Sequence, residues 1–246
     1  MTANTTPVIL IAGHWLGAWA WDEVLEHLNT RLASAIALTL PGLDSNDPDR
    51  ASRTLDDQVA AIRDIIASHG DQPVVLVAHS GANGPASVVL DRYPELIARA
   101  VWVDSGPLSD GTAFAPDFPA DAEELPLPPF DELGQQASLN GLSGDHLARF
   151  RARAVPQPAS VIREKVTLSN DSRRLVPTTL ICCSIPGEDL MKLAAAGDPM
   201  FAEVANLKHL NIVDLPTGHW PMWSCPRDLA RAIEDAASHG DLSHAG

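Results

Sequence analysis

The segment Val74-Val-Leu-Val-Ala-His-Ser-Gly-Ala-Asn-Gly84 joins a run of apolar, mostly β-branched residues to a helical pattern through a serine flanked by small residues. The apolar run predicts a buried strand, and the helical spacing continues to Tyr93. A sharp turn between the two would expose the oxygen of Ser80 and leave backbone N–H groups free at the start of the helix. Ala78 and Ala82, two residues before and after the serine, are small enough for such a turn. The segment therefore predicts an α/β fold with Ser80 as candidate nucleophile.

Similar apolar runs recur on both sides of this segment, with helical patterns between them. This alternation predicts a mostly parallel central sheet flanked by helices. Thr54 and Asp57 form a capping-box-like helix start, and a proline-initiated helix is expected at 226–238. The other apolar runs are 8–12, 35–40, 100–103, 179–183 and 210–215.

The alternation stops between Gly106 and about Arg174, where prolines cluster and acidic residues become frequent. A proline-rich stretch of this length between two strand candidates indicates an inserted cap. We therefore predict a core formed by 1–105 and 175–246 and a cap at 106–174, with a cap helix around 144–155.

Composition and charge narrow the class of protein. The 246 residues are 45% hydrophobic and 20% charged, which favours a chain with a sizeable core over a disordered one. The formal charge of −15 opposes binding to nucleic acid or to an anionic membrane surface. Two of the three cysteines are adjacent, which is poor geometry for a disulfide bond, so we expect a cytoplasmic protein. The short apolar run near the start of the sequence has no positive charge before it in 1–7, so we expect neither an export signal nor a membrane span. A homodimer is one candidate assembly.

A serine nucleophile needs a general base, and nine histidines compete for that role. His219 follows the last apolar run, at the carboxyl end of a predicted strand, where the sites of open α/β sheets gather. His79 adjoins the serine, but its side chain is expected to point the opposite way at a tight turn. His219 is therefore the predicted base.

Two further segments carry a family resemblance. Gly17-Ala-Trp-Ala-Trp21 and Gly218-His-Trp-Pro-Met-Trp-Ser-Cys-Pro226 resemble the α/β-hydrolase superfamily, in particular the branch of plant methylesterases and hydroxynitrile lyases and its bacterial relatives. The resemblance covers nearly the whole chain apart from the cap. By position it implies that the backbone N–H groups of His14 and Gly81 hold the oxyanion. Trp15 and Trp220, which adjoin these motifs, are predicted to bind the substrate. The candidate site residues named so far are Ser80, His219, His14, Gly81, Trp15 and Trp220.

The acid that would orient the base has two candidates. In most of the superfamily it follows the penultimate strand, but here that strand leads into Ser184-Ile-Pro-Gly187, and Glu188 comes late. Some relatives place the acid after an earlier strand, where this chain has Asp104, one helix and one strand after Ser80. We therefore predict Asp104 as the acid, with Glu188 as the alternative.

Together these features predict a serine hydrolase without a cofactor, which cleaves a carboxylic ester or lactone of a largely apolar small molecule through an acyl-enzyme. No spacing of histidines and carboxylates suggests a metal site, and no glycine-rich dinucleotide fingerprint follows the first strand. A lyase or cofactor-free oxygenase on the same scaffold is one alternative, although Trp220 stands where hydroxynitrile lyases carry a lysine. A small-molecule receptor that retains the triad is another.

Overall fold

The computed structural model describes residues 6–28 and 34–238. At its centre lies a six-stranded sheet in the order β2-β1-β3-β4-β7-β8, and every neighbouring pair is parallel. The predicted α/β fold with a parallel central sheet is thereby confirmed. The strands of this sheet are β1 (Val8–Ile11), β2 (Ala35–Leu38), β3 (Val74–His79), β4 (Ile97–Val103), β7 (Thr178–Cys182) and β8 (Leu210–Asp214).

Helices connect the strands and cover both faces of the sheet. The predicted capping box is present: the Thr54 hydroxyl accepts from the Asp57 N–H, and the Asp57 carboxylate accepts from the Thr54 N–H. The helices outside the predicted cap are α1 (Asp22–Leu28), α2 (Leu55–Ala67), α3 (Asn83–Arg92), α7 (Gly187–Ala195), α8 (Pro221–Ser224) and α9 (Pro226–Ser238).

Alternating side chains of the strands build two hydrophobic cores. Ile9 and Ile11 of β1 pack with apolar residues of α2, α3 and α7 on one face of the sheet. Val8 and Leu10 pack with α1 and α9 on the other face. Because both faces of each central strand are buried, these strands are continuous apolar runs in the sequence.

The segment 106–174 contains a short antiparallel pair and three helices. The predicted cap helix is present as α5, Gly144–Arg153. The division of the chain into core and cap stays a prediction. The other elements here are β5 (Glu124–Leu125), β6 (Gln157–Pro158), α4 (Phe130–Gln136) and α6 (Ala159–Arg163).

Across 6–28 and 34–238, the helices are too short or too polar to cross a membrane. Residues 1–5, where we expect no export signal, lie outside the described residues.

Candidate active site

Ser80 occupies a strained turn directly after β3. Its φ of 51° is positive, a conformation that is rare for residues other than glycine, and the chain continues through a 3₁₀ turn into α3. The loop after β1 lies against this turn, because a β-carbon on Gly13 would be 2.8 Å from Cβ of Ser80 and 3.0 Å from N of Gly81. The turn thus presents the serine oxygen beside the loop that carries His14.

Ser80, His219 and Asp104 form one continuous chain of hydrogen bonds. Nε2 of His219 lies 2.7 Å from Oγ of Ser80, and Nδ1 lies 2.6 Å from Oδ2 of Asp104. The side chains of His219 and Asp104 are 16% and 5% exposed, so water screens their interaction weakly. The structure therefore brings together the three residues that the sequence singled out from separate segments.

Asp104 is held by donors from the end of β7. Its Oδ1 accepts hydrogen bonds from the N–H groups of Cys183 (3.0 Å) and Ser184 (2.8 Å), and its Oδ2 accepts from the Ser184 hydroxyl (2.6 Å). Burial acts to raise the pKa of Asp104, but the hydrogen bond and charge of His219 and the hydrogen bonds from Ser184 lower it to about 2. The carboxylate is therefore ionised throughout the physiological range. No pattern in the sequence marks Ser184 as the partner of Asp104.

Glu188, the alternative acid, lies away from the hydrogen bonds that join Ser80, His219 and Asp104. Helix α7 begins at Gly187 and directs the Glu188 side chain into solvent, where it is 82% exposed and pairs with Lys192 at 2.8 Å. The two positions directly after β7 belong to Cys183 and Ser184, whose donors bind Asp104.

His79 has a role that sequence reasoning missed. Its Nε2 donates to the backbone carbonyl of His219 (2.7 Å), and its Nδ1 accepts from the N–H of Gly13 (3.4 Å). A carbonyl only accepts and an amide N–H only donates, so these partners specify a neutral ring with its proton on Nε2. Burial lowers the pKa of His79 to about 3. The ring ties the loop of His219 to the loop after β1, and its position next to Ser80 was the only signal.

Both loops are also held by main-chain groups of the predicted cap. Trp15, at a φ of 66°, donates from Nε1 to the carbonyl of Leu125 (2.9 Å) and accepts at its own carbonyl from the N–H of Val155 (3.0 Å). The N–H of His219 donates to the carbonyl of Ser138 at 2.8 Å. The segment 106–174 therefore supports the site directly.

Trp15 and Trp220 are both well buried. Trp15 is 9% exposed and uses its indole N–H to bind the cap. Trp220 is 2% exposed, lies perpendicular to the His219 ring with centroids 4.9 Å apart, and packs against Phe150. These contacts stabilise the surroundings of His219, and binding of substrate by the two tryptophans stays a prediction.

Within 6–28 and 34–238, no three side chains of histidine, cysteine, aspartate or glutamate are grouped as metal ligands would be.

The burial of His14 and His79 makes the stability of the folded protein depend on pH. Burial lowers the pKa of His14 from 6.5 to about 4, and that of His79 to about 3. The unfolded chain takes up protons at these residues below about pH 6.5, whereas the folded protein does not until much lower pH, so the free energy of unfolding falls as the pH falls. Between pH 7 and pH 5 we expect a loss of about 2 kcal/mol per histidine, measured by urea denaturation. Between the same pH values the free energy of unfolding of His14→Gln should fall less than that of the wild type, because the variant lacks one of the two histidines. A fall equal to that of the wild type would contradict the expectation.

Gly81 must lack a side chain because the His14 ring lies against it. A β-carbon on Gly81 would be 2.2 Å from Nε2 of His14. We therefore expect Gly81→Ala to lower the free energy of unfolding by about 1–3 kcal/mol, as overpacking does. Adding His14→Ala removes the clash, so the double variant should be more stable than Gly81→Ala alone when the two are compared by thermal unfolding. Strictly additive losses would show that the two residues do not compete for this space.

The chain is similar to plant methylesterases in sequence and to α/β-hydrolases in structure. Putative methylesterase 14, chloroplastic, of Arabidopsis thaliana is 30% identical over 105 residues, 42% of this chain and 30% of that protein, so the alignment spans less than a third of that relative. Methylesterase 7 of the same plant is 25% identical over 270 residues, 95% of this chain and 97% of that protein. An extracellular alpha/beta-hydrolase from a Paenibacillus species has the same fold, with a TM-score of 0.73 and 20% identity over 94% of this chain and 98% of its own.

The likeness in structure agrees with the α/β fold described above. The sequence profile of the alpha/beta hydrolase family matches residues 8–232. The chain therefore belongs to the alpha/beta hydrolase family.

Proposed function

We propose that this hydrolase is a serine esterase that needs no cofactor and cleaves a carboxylic ester or lactone through an acyl-enzyme. The observation that carries the proposal is the continuous chain from Oγ of Ser80 through His219 to Asp104, with contacts of 2.7 and 2.6 Å. Serine hydroxyls attack carbonyl carbon only when a positioned base removes their proton. These linked hydrogen bonds supply a nucleophile, a base and an ionised acid in series.

Each residue has a defined task in the proposed reaction. Oγ of Ser80 forms a bond to the acyl carbon as its proton moves to Nε2 of His219. Asp104 holds Nδ1–H of the ring and stabilises the imidazolium that forms. His219 then gives its proton to the departing alkoxide, so the alcohol leaves neutral. Water, deprotonated by the same histidine, releases the acid and restores Ser80.

The negative charge on the carbonyl oxygen needs donors on the opposite side from the base. The backbone N–H groups of His14 and Gly81 are the proposed donors, because Gly13 brings the loop after β1 against Ser80 and Gly81. Each such donor contributes about 10²–10³ to kcat in related chemistry.

The surroundings support an uncharged, largely apolar substrate. Phe114 of the predicted cap lies over the His14 ring, with centroids 4.3 Å apart, and is 55% exposed. The net charge of −15 disfavours anionic substrates. The similarity to proteins named methylesterases favours an ester of a small alcohol within this class.

A panel of p-nitrophenyl and methyl esters of graded acyl length, together with aromatic and macrocyclic lactones, tests the proposal. We expect repeated turnover of at least one ester, with the product exceeding the enzyme many times over. Release of a single equivalent would instead indicate a receptor. Absence of hydrolysis across the panel, with cleavage of a hydroxynitrile, would indicate lyase chemistry on this scaffold.

A further inference from the structure

The imidazole of His14 occupies an unusual place beside the nucleophile. A β-carbon on Gly81 would be 2.2 Å from Nε2 of His14 and 2.4 Å from both Cδ2 and Cε1. The tip of the ring therefore fills the space that a side chain on the residue after Ser80 would take. Since Gly81 is a proposed oxyanion donor, the ring forms the wall of the site next to the carbonyl that Ser80 would attack.

Nε2 of His14 is a polar atom without a hydrogen-bond partner among the described residues, and the residue is 7% exposed. Buried polar atoms are nearly always paired, and leaving one unpaired costs about 1–3 kcal/mol. An apolar side chain could fill the same space without this cost. An unpaired nitrogen beside a nucleophile therefore points to a partner that arrives with the substrate.

The ring is neutral under ordinary conditions. Burial lowers the pKa of His14 to about 4, a hydrogen bond with the Gln157 side chain acts against it, and the charge of His219 acts in the same direction as burial. Nε2 of a neutral imidazole is a donor in one tautomer and an acceptor in the other. A hydroxyl group both donates and accepts, so it is the partner that suits either tautomer.

We propose that His14 is a substrate-binding residue whose Nε2 hydrogen-bonds a hydroxyl group on the acyl part of the substrate, one or two carbons from the ester carbonyl. The inference rests on the proposed esterase function and names its substrate class, esters of hydroxy acids.

Two pairs of methyl esters, in which a hydroxyl replaces a methyl group of the same size, test the inference. They are methyl 2-hydroxybutanoate with methyl 2-methylbutanoate, and methyl 3-hydroxybutanoate with methyl 3-methylbutanoate. In the wild type we expect kcat/KM to favour the hydroxy ester of at least one pair by about 10- to 100-fold, the range of one neutral hydrogen bond to an otherwise unpaired group. Equal rates, or preference for the methyl compound in both pairs, would overturn the inference without any variant.

Variants assign the preference to the ring nitrogen. His14→Leu keeps the bulk and removes the polar atom, so the preference should fall to about one, whereas His14→Gln should restore part of it. Phe114→Leu is the matched control, because it changes a side chain against the same ring without removing a hydrogen-bonding atom, and its preference should equal that of the wild type. A preference retained in His14→Leu would overturn the inference. The side chain of His14→Asn is too short to reach the position of Nε2. If His14→Leu fails to fold, an undiminished preference in His14→Asn would overturn the inference.

The outcomes for the two proposals differ. Hydrolysis of all four esters without a hydroxyl preference contradicts the role of His14 and leaves the esterase proposal standing. Failure to hydrolyse these four and every ester of the larger panel contradicts both.

Discussion

Ser80→Ala is expected to lower kcat for ester hydrolysis by about 10⁶, the size of effect that follows loss of a serine nucleophile elsewhere. The change removes the oxygen that lies 2.7 Å from Nε2 of His219, and nothing else in the chain of hydrogen bonds. Alanine bears the same β-carbon as serine at the positive φ of this turn, so the strain and the stability should be nearly unchanged. The loss would therefore report chemistry and not misfolding.

An activated fluorophosphonate identifies the nucleophile directly. Intact-mass measurement should show one added group on the wild type and none on Ser80→Ala. Ser105→Ala is the matched control: its hydroxyl bonds the carbonyl of Ala78 near the same turn at 3.5 Å, and it should be labelled like the wild type. Labelling of Ser80→Ala at another serine, with turnover retained, would place the nucleophile elsewhere.

Asp104→Asn is expected to lower kcat by about 10⁴, as the same change does in serine proteases, where the wrong imidazole tautomer results. Asp104 accepts hydrogen bonds from Nδ1 of His219 and from three donors of Cys183 and Ser184. An amide presents one accepting oxygen and one donating nitrogen, so it cannot accept at both positions. Either His219 loses its acceptor or the donors at the end of β7 lose theirs.

Glu188→Gln is the matched control for this prediction. Its side chain is 82% exposed and pairs with Lys192, so kcat should stay within about twofold of the wild type, as for most surface changes. Thermal unfolding of Asp104→Asn separates a folding defect from a chemical one. Normal turnover in Asp104→Asn together with collapse in Glu188→Gln would reverse the assignment of the acid.

Local patterns were enough to predict much of the molecule. The apolar run at 74–78 followed by Ser80 and small residues specified a strand, a turn and a helix, because strand periodicity and turn chemistry depend on neighbours in sequence. The helix beginning after Thr54 was predictable for the same reason, since its capping box lies within one turn. His219 was predictable because parallel strands place the loops at their carboxyl ends along one edge.

The choice between Asp104 and Glu188 required the tertiary structure. Both follow strands of the sheet, and the sequence did not indicate that α7 would begin at Gly187 and turn Glu188 into solvent. The donors of Ser184 reach Asp104 only because β4 and β7 pair side by side, although they are far apart in the chain.

The sequence by itself determined the strand and helix on either side of Ser80 and the strand before His219, because these follow from short-range periodicity. Only the tertiary structure decided what surrounds those residues. The ring of His79 bridges two loops, and the ring of His14 takes the space left by Gly81. Such contacts join segments distant in sequence, and they are set by the packing of side chains across the sheet edge, which no local pattern encodes.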